Sequence, residues 1–401
     1  MMKEITAKYF LFLFFCLLGA AIHGVDVPQK KINTDVFDAV ISEITAKHYD
    51  GNFRQKYAQK IDEFRQKSVK SVNNDELARC INQFFRHLSD SHFGIIAPPS
   101  YRKSAVPLEN NIRVIESDNR VLVSEVLSDS VFLKGDEILS VNGTAADHNS
   151  RIGKAVQIMS LLSFGDAGRQ IKTEIIRDGK LVTVSFKSRP KRRKKPVFKL
   201  GEMPAMTEDY ESCLLNADIG YIRFSIFTPN AVQSLKKDVR TIFKNTPKLI
   251  IDLRNNNGGL IMMAVGMASF LHEKKIRFGD SVIGGQKLSP ESYPQKECYK
   301  GKIYILIGRN SYSTAEIFAQ SMKEAGAALV VGEKSSGMCL PSAFISLPHN
   351  FRLQTVMGDY CSADNYRIEG NGVIPDKMIK VLPDQLKNNS DPLIDFIRHT
   401  D

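Results

Sequence analysis

The apolar positions change period along the chain, and each change marks a different kind of element. Between Asn33 and Leu88 they recur at helical spacing. Val36, Phe37, Val40, Ile41 and Ile44 form one stripe, and Leu77, Ile81, Phe84, Phe85 and Leu88 form another. Asn74 and Asp75 stand before the second stripe and predict its cap. From about Ala105 to Lys187 the pattern shortens to strand-like alternation in IRVIES, VLVSEVL, IKTEIIR and LVTVSFK, around the segment KGDEILSVNGTAA. Strands with one or two helices over that length predict a small barrel-like domain. From Ala217 onward strands and helices alternate, through IGYIRFSIF, VQSLKKDVRTIF, KLIIDLR, MMAVGMASFLHE, KIYILIG, AEIFAQSMKEAG and AALVVGE. That order predicts an α/β domain with parallel strands, in which chemistry belongs to the loops at the carboxyl ends of the strands.

Ahead of the first helix, Tyr9 to Ile22 is an unbroken apolar run that follows Lys3 and Lys8 and ends in Gly19, Ala20 and Ala21. Its length suits the core of a signal peptide better than a spanning helix. Residues 1–24 are read as a signal peptide and the remainder as exported to the periplasm, the cell surface or the medium, with no stable membrane span after cleavage. An uncleaved anchor is the alternative. The expected organisation is a helical region over 33–100, a β-rich domain over 105–187, a linker over 188–200 and an α/β core over 201–390.

At 401 residues, 43% hydrophobic and 25% charged, the chain is neither collagen-like, nor low-complexity, nor a polytopic membrane protein. A formal charge of +11 would point to nucleic acid or an anionic membrane if it covered a folded face. It does not. Eight basic residues and no acid lie between Lys187 and Lys199, and without them the charge is +3. A block of like charge repels itself, so this segment reads as a solvated linker and nucleic acid is not supported as a partner. The six cysteines include no CxxC pair and imply neither a disulfide scaffold nor a zinc ribbon. Cys339 and Cys361 flank a hairpin that turns at Pro348-His349-Asn350, equally far from residue 350, so a cross-strand disulfide and two buried thiols both stay open.

Two strand-to-helix turns carry candidate chemistry. In Asn255-Asn256-Asn257-Gly258-Gly259 the glycines permit a close backbone approach, and amides at a helix start suit an oxyanion. No Gly-Lys-Ser/Thr follows, so this is not a nucleotide loop, and a merely structural turn is the default reading of the motif alone. In the second turn, Ser313 stands three residues before Glu316. This is the spacing of a capping box, and equally that of a nucleophilic hydroxyl at a helix start. A nucleophilic serine needs a base. His48, His148, His272, His349 and His399 have no distinctive neighbours, whereas His92 follows Ser91 in LSDSHFG, where a helix gives way to a strand.

Taken in order, the DSH triplet, GDEILSVNG, DLRNNNGG, NSYSTAEIFAQ with AALVVGE, and IEGNGVIPD resemble the C-terminal-processing peptidase family and its tricorn-core relatives, over roughly residues 35 to 385. The resemblance implies an α/β fold with a ClpP/crotonase-like peptidase core, an inserted PDZ-like β-rich domain and a small N-terminal helical region. It implies a serine endopeptidase that acts on peptides or proteins through a Ser313 acyl-enzyme, without metal or cofactor. In the processing branch the base is the lysine of GE-x-x-x-G-Lys, but that motif here runs from Gly332 to Met338, and Met338 cannot take a proton. The tricorn-like branch uses a histidine preceded by a serine and supported by a distant glutamate. Ser91, His92 and Glu369 occupy those positions. The resemblance therefore implies His92 as general base, Ser91 and Glu369 as its support, and the backbone amides of Gly258 and Thr314 as the oxyanion hole. GDEILSVNG is similar to the latter half of a PDZ domain, which implies capture of a peptide terminus as an added strand. Loss of the lysine keeps a second reading open, a catalytically silent member that binds peptides or other ligands.

Overall fold

Four helices, α1 (Gln29–Lys47), α2 (Phe53–Lys56), α3 (Ala58–Ser68) and α4 (Asn74–Phe85), form the first layer of the computed structural model. The structure describes residues 27–98, 106–109, 111–147, 150, 152–191, 198–204 and 207–400. The signal-peptide reading of residues 1–24, His148 and Arg192 to Lys195 of the basic run lie outside the described residues. Both apolar stripes face inward, with Val36, Phe37, Val40 and Ile44 of α1 meeting Leu77, Ile81 and Phe84 of α4. The cap of α4 falls one residue earlier than expected, because Asn73 accepts the Glu76 N–H at 2.9 Å. Helix α3 is absent from the expectation because it buries only Ile61, Phe64 and Ser68, too few positions to print a stripe. The chain then enters β1 (Gly94–Ile96).

Strands β2 (Ile112–Ser117), β3 (Arg120–Val126), β4 (Glu137–Val141), β5 (Gln170–Arg177) and β6 (Lys180–Lys187) lie side by side in that order, all antiparallel. Helix α5 (Lys154–Ser163) lays Ala155, Ile158 and Leu162 on Val114, Val123, Ile138 and Ile175. The five-strand ladder ends at β2 and β6, and just beyond those ends Leu108 bridges Pro190 while the Glu109 N–H donates to the Arg189 carbonyl at 2.8 Å, which draws the two ends of the sheet together.

The rest of the chain supplies β7 (Tyr210–Leu214), β8 (Ile219–Phe224), α6 (Pro229–Arg240), β9 (Lys248–Asp252), α7 (Ile261–Ala268), β10 (Asp280–Ile283) and β11 (Gln286–Leu288). It continues through β12 (Lys302–Ile307), α8 (Thr314–Glu324), β13 (Leu329–Gly332), β14 (Ser342–Ser346), β15 (Arg352–Val356), β16 (Gly358–Cys361) and β17 (Lys377–Met378), then α9 (Pro383–Lys387) and α10 (Pro392–Arg398). The main sheet runs β7-β8-β9-β12-β13-β17 and is parallel except at β7. Its central strands read as continuous apolar runs because both faces are covered. One face holds α6, α7 and α8. On the other, Ile250, Leu306 and Val331 pack against Ile115 and Leu122 of the second sheet and Leu386, Leu393 and Ile397 of α9 and α10. Arg113 and Glu125 of the second sheet also form an ion-pair box with Arg223 and Glu211 of β8 and β7.

The β14–β15 hairpin turns at Pro348–Asn350 and lays Leu347, Phe351 and Leu353 into the helical layer, while β1 pairs with β15. Its register sets Phe344 opposite Gln354 and so centres on residue 349, one residue from the centre a Cys339–Cys361 bond requires. Cys361 instead runs on into β16, opposite Asp280, and both thiols are free. Among the described residues no helix is long and apolar enough to cross a membrane.

Beneath the end of β9, the Arg254 guanidinium bridges Asp252 at 2.6 Å and Asp391 at 2.8 Å, and Tyr221 donates its hydroxyl to Asp252. Burial alone would raise the Asp252 carboxyl, but Arg254 outweighs it and holds it below its ordinary range. Arg254→Ala strands a buried carboxylate and should cost about 3–5 kcal/mol of unfolding free energy. Because the Asp252 pKa is lowered, the pair's contribution is present at neutral pH and fades as pH falls through that lowered value. Urea unfolding at neutral and acid pH reads both effects, and the wild-type–variant gap should narrow at low pH.

Candidate active site

The turn between β12 and α8 is fastened to the turn that follows β9. Ser311 donates its hydroxyl to the Leu253 carbonyl at 2.7 Å, and the Tyr312 N–H donates to the Asn256 carbonyl at 3.0 Å. Thr314 donates its hydroxyl to the Gly259 carbonyl at 2.7 Å. Ser313 sits between these ties with φ 55° and ψ −122°. A residue with a side chain held at positive φ costs about 1–3 kcal/mol and persists only where its surroundings fix it.

Glu316 supplies much of that fixation. Its buried carboxylate accepts from the hydroxyls of Ser335 at 2.6 Å and Ser336 at 3.1 Å, from the amides of Gly337 at 2.6 Å and Met338 at 2.9 Å, and from the Ser313 N–H at 3.2 Å. Burial pushes this carboxyl above its ordinary range, and the four donors from residues 335–338 pull against that push. The glutamate arm of the capping box thus extends well beyond the helix end and carries the whole 335–338 loop. The Glu316 N–H donates to the Ser313 carbonyl at 2.9 Å, while the Ser313 hydroxyl faces His92 Nε2 at 3.2 Å.

His92 also has a positive φ, 63°. Its Nδ1 lies 2.7 Å from Ser91 Oγ, which donates to Glu369 Oε2 at 2.9 Å. The Ser91 N–H donates to Glu369 Oε1 at 2.9 Å, and the Cys339 N–H to Oε2 at 2.9 Å. A carboxylate only accepts, so the Ser91 hydrogen points to Glu369 and its lone pair takes the hydrogen of His92 Nδ1. The tautomer follows from this network, and His92 Nε2 turns its lone pair toward Ser313. Ser313, His92, Ser91 and Glu369 therefore form one hydrogen-bonded series, although 221 residues separate the first pair and 278 the last. Burial pushes the neighbouring Cys339 thiol well up, which leaves it unreactive.

Gly258 lies against the serine. A Cβ there would stand 2.7 Å from Ser313 Cβ and 3.0 Å from the Thr314 nitrogen, and φ is +85°. Its own N–H donates to Asn256 Oδ1 at 2.9 Å, and buried Asn256 is anchored by its Nδ2 on the Phe224 carbonyl at 2.8 Å. Of the two amides that the sequence nominates for an oxyanion, that of Gly258 is thus already engaged. The role of Asn256 as acceptor of the Gly258 N–H escaped the sequence reading, although its spacing to Gly258, two residues on, is that of an Asx turn.

A cleft of about 330 Å³ opens beside these turns. Ile112, Val114 and Met159 line one wall, and Phe224, Asn257 and Asn310 line the other. Asn255 spans it, donating its Nδ2 to the Val114 carbonyl of edge strand β2 at 3.1 Å. Asn310 Oδ1 is buried there without a hydrogen-bond partner. Among the described residues, no group of His, Cys, Asp or Glu is arranged to hold a metal ion.

Residues 218–379, which include both turns and Glu369, match the family model for peptidase family S41. The chain carries an S41 domain. It is similar to a probable CtpA-like serine protease of Staphylococcus haemolyticus, 24% identical over 66% of this chain and 51% of that protein. The chain thus spans about half the length of that relative. The solved photosystem II D1 C-terminal processing protease superposes with a TM-score of 0.55 at 18% identity, over 88% of this chain and 94% of the other. Mature CPAF complexed with lactacystin superposes with a TM-score of 0.65 at 14% identity, over 92% and 97%. At these identities the likeness establishes the mixed α/β fold with its several sheets.

Within the S41 domain, Glu316→Gln places an amide NH2 against either the Gly337 N–H or the Met338 and Ser313 N–H groups, which can only donate. Each buried donor left unpaired costs about 1–3 kcal/mol, so the variant should unfold at lower denaturant than wild type. Equal stability would contradict the anchoring role drawn from these contacts.

Proposed function

We propose that the protein is an exported serine endopeptidase whose nucleophile is Ser313 and whose general base is His92. The observation that carries this reading is the 3.2 Å approach of His92 Nε2 to Ser313 Oγ, and the tautomer inferred from the Ser91–Glu369 network leaves the Nε2 lone pair for the hydroxyl. His92 takes the proton as Oγ bonds to the carbonyl carbon of a peptide. The imidazolium, steadied through Ser91 by the Glu369 carboxylate, gives that proton to the departing amine. Water then repeats the sequence on the acyl-enzyme. Negative charge on the tetrahedral oxygen falls to the amides of Thr314 and Gly258, and each such donor contributes about 3 kcal/mol in the transition state. Gly258 serves only if its N–H is shared with, or released by, Asn256.

The wider organisation belongs to the same proposal. Residues 33–100 carry the Ser91–His92 pair, 105–187 form a PDZ-like domain, 188–200 a linker and 201–390 the peptidase core. The cleft between β2 and α5 suits an extended peptide added at the β2 edge, with apolar side chains against Ile112, Val114 and Met159. The apolar run from Tyr9 to Ile22 supports export.

One observation favours a silent, peptide-binding alternative, namely the occupation of the Gly258 amide by Asn256. An active-site phosphonate separates the two readings. Labelling should fall on Ser313 and disappear in a folded His92→Ala variant, and Ser313→Ala should lower peptide hydrolysis by about 10⁴-fold or more. Hydrolysis unchanged in Ser313→Ala would overturn the mechanism, and peptide binding without labelling or turnover would establish the silent reading. Deletion of Arg192 to Lys195 should leave hydrolysis near normal, since a solvated linker takes no part in the chemistry.

A further inference from the structure

His48, at the end of α1, grips both flanks of the Ser91–His92 pair. Its backbone N–H donates to the Ile44 carbonyl at 2.9 Å, which roots it in the helical layer, and its side chain is 2% exposed. Nδ1 accepts the Asp50 N–H at 3.0 Å, so in the neutral ring Nε2 carries the hydrogen and donates it to Asp90 Oδ2 at 3.1 Å. The second Asp90 oxygen accepts the Tyr49 hydroxyl at 2.9 Å. The His48 ring also stacks on Phe93, with centroids 6.0 Å apart and planes 11° apart, and on Tyr49 at 4.6 Å and 21°. Residue 90 is therefore tied by a hydrogen bond and residue 93 by ring stacking, while Ser91 between them is tied to Glu369. Left to itself, His92 would relax from φ 63° to the favoured negative region and carry its ring off Ser313.

We propose that His48 is a positioning residue of the peptidase site, which holds Asp90 and Phe93 so that the backbone of His92 stays in the one conformation that points Nε2 at Ser313. The proposal rests on the Ser313–His92 reading and goes beyond it. A shift of about 1 Å in a reacting group can cost on the order of 100-fold in rate, whereas substrate contacts made elsewhere are untouched. The signature is thus a loss in kcat with KM unchanged.

His48→Phe keeps a ring in the aromatic pocket and removes the donor to Asp90, and His48→Gln returns an N–H near the place of Nε2. The Phe variant should unfold cooperatively yet lose about 10- to 100-fold in kcat on a peptide, with Ser313 phosphonate labelling slowed in step. The Gln variant should recover most of that loss. Wild-type kcat in His48→Phe, a loss confined to KM, or a Gln variant no better than Phe would each overturn the assignment. If His48→Phe does not fold, Asp90→Ala, which removes the acceptor of the His48 hydrogen, should show the same kcat loss, and a normal kcat there would overturn it equally. Labelling of wild-type Ser313 tests the peptidase reading separately, so a normal wild type with an unimpaired His48→Phe counts against His48 alone.

Discussion

Glu369 accepts hydrogen bonds from two segments that the chain brings together from far apart, residues 91 and 339. Its two oxygens fix the backbone and the hydroxyl of Ser91, and through that hydroxyl they fix the tautomer of His92. Everything proposed for Ser313 depends on this. A base must present a lone pair at hydrogen-bond distance, and an imidazole offers it from Nε2 only when Nδ1 holds the hydrogen. The helical layer, the β14–β15 hairpin and the loop at 335–338 all serve to keep that carboxylate and that ring in register.

Both members of the Ser313–His92 pair are held at positive φ, and the surroundings of each match that strain. Around Ser313 the support is polar and local, since Glu316 draws in the donors of residues 335–338. Around His92 it is partly polar, through Asp90 and Glu369, and partly aromatic, through the ring of His48 on Phe93. The two supports stand on different layers, one on α8 of the main sheet and one on α1 of the helical layer. The hairpin that buries Leu347, Phe351 and Leu353 among the helices begins just after the 335–338 loop and so ties the helical layer to the segment held by Glu316.

What was legible in the sequence was whatever local pattern records. The alternation of strands and helices after Ala217, the two turns that bear Gly258 and Ser313, and the Ser-His pair each sit in a short, ordered motif. Helix α3 left too few buried positions to show a period. The bridge from Leu108 to Pro190 that draws the ends of the second sheet together left no local pattern, because alternation reports half-buried strands and says nothing about closure. His48 seemed to have no distinctive neighbours because its partners, Asp90 and Phe93, lie more than forty residues on and meet it only across the packed helices. Asn256 and Glu316 were visible as a turn residue and as half of a cap, but spacing along one strand-to-helix turn does not show that Asn256 holds the Gly258 amide or that Glu316 binds a loop some twenty residues away. The equal spacing of Cys339 and Cys361 about residue 350 gave the wrong centre by one residue, and a hairpin register tolerates no such slip.

The central claim is that a network ending in Glu369 dictates the state of the His92 ring. Nitrogen-15 NMR of the His92 side chain at neutral pH tests it most directly. The account predicts a protonated, pyrrole-type Nδ1 and an unprotonated, pyridine-type Nε2, with this preference lost in Glu369→Gln. A ring that carries its hydrogen on Nε2 in the wild-type protein, or one whose tautomer ignores the loss of the Glu369 charge, would contradict it.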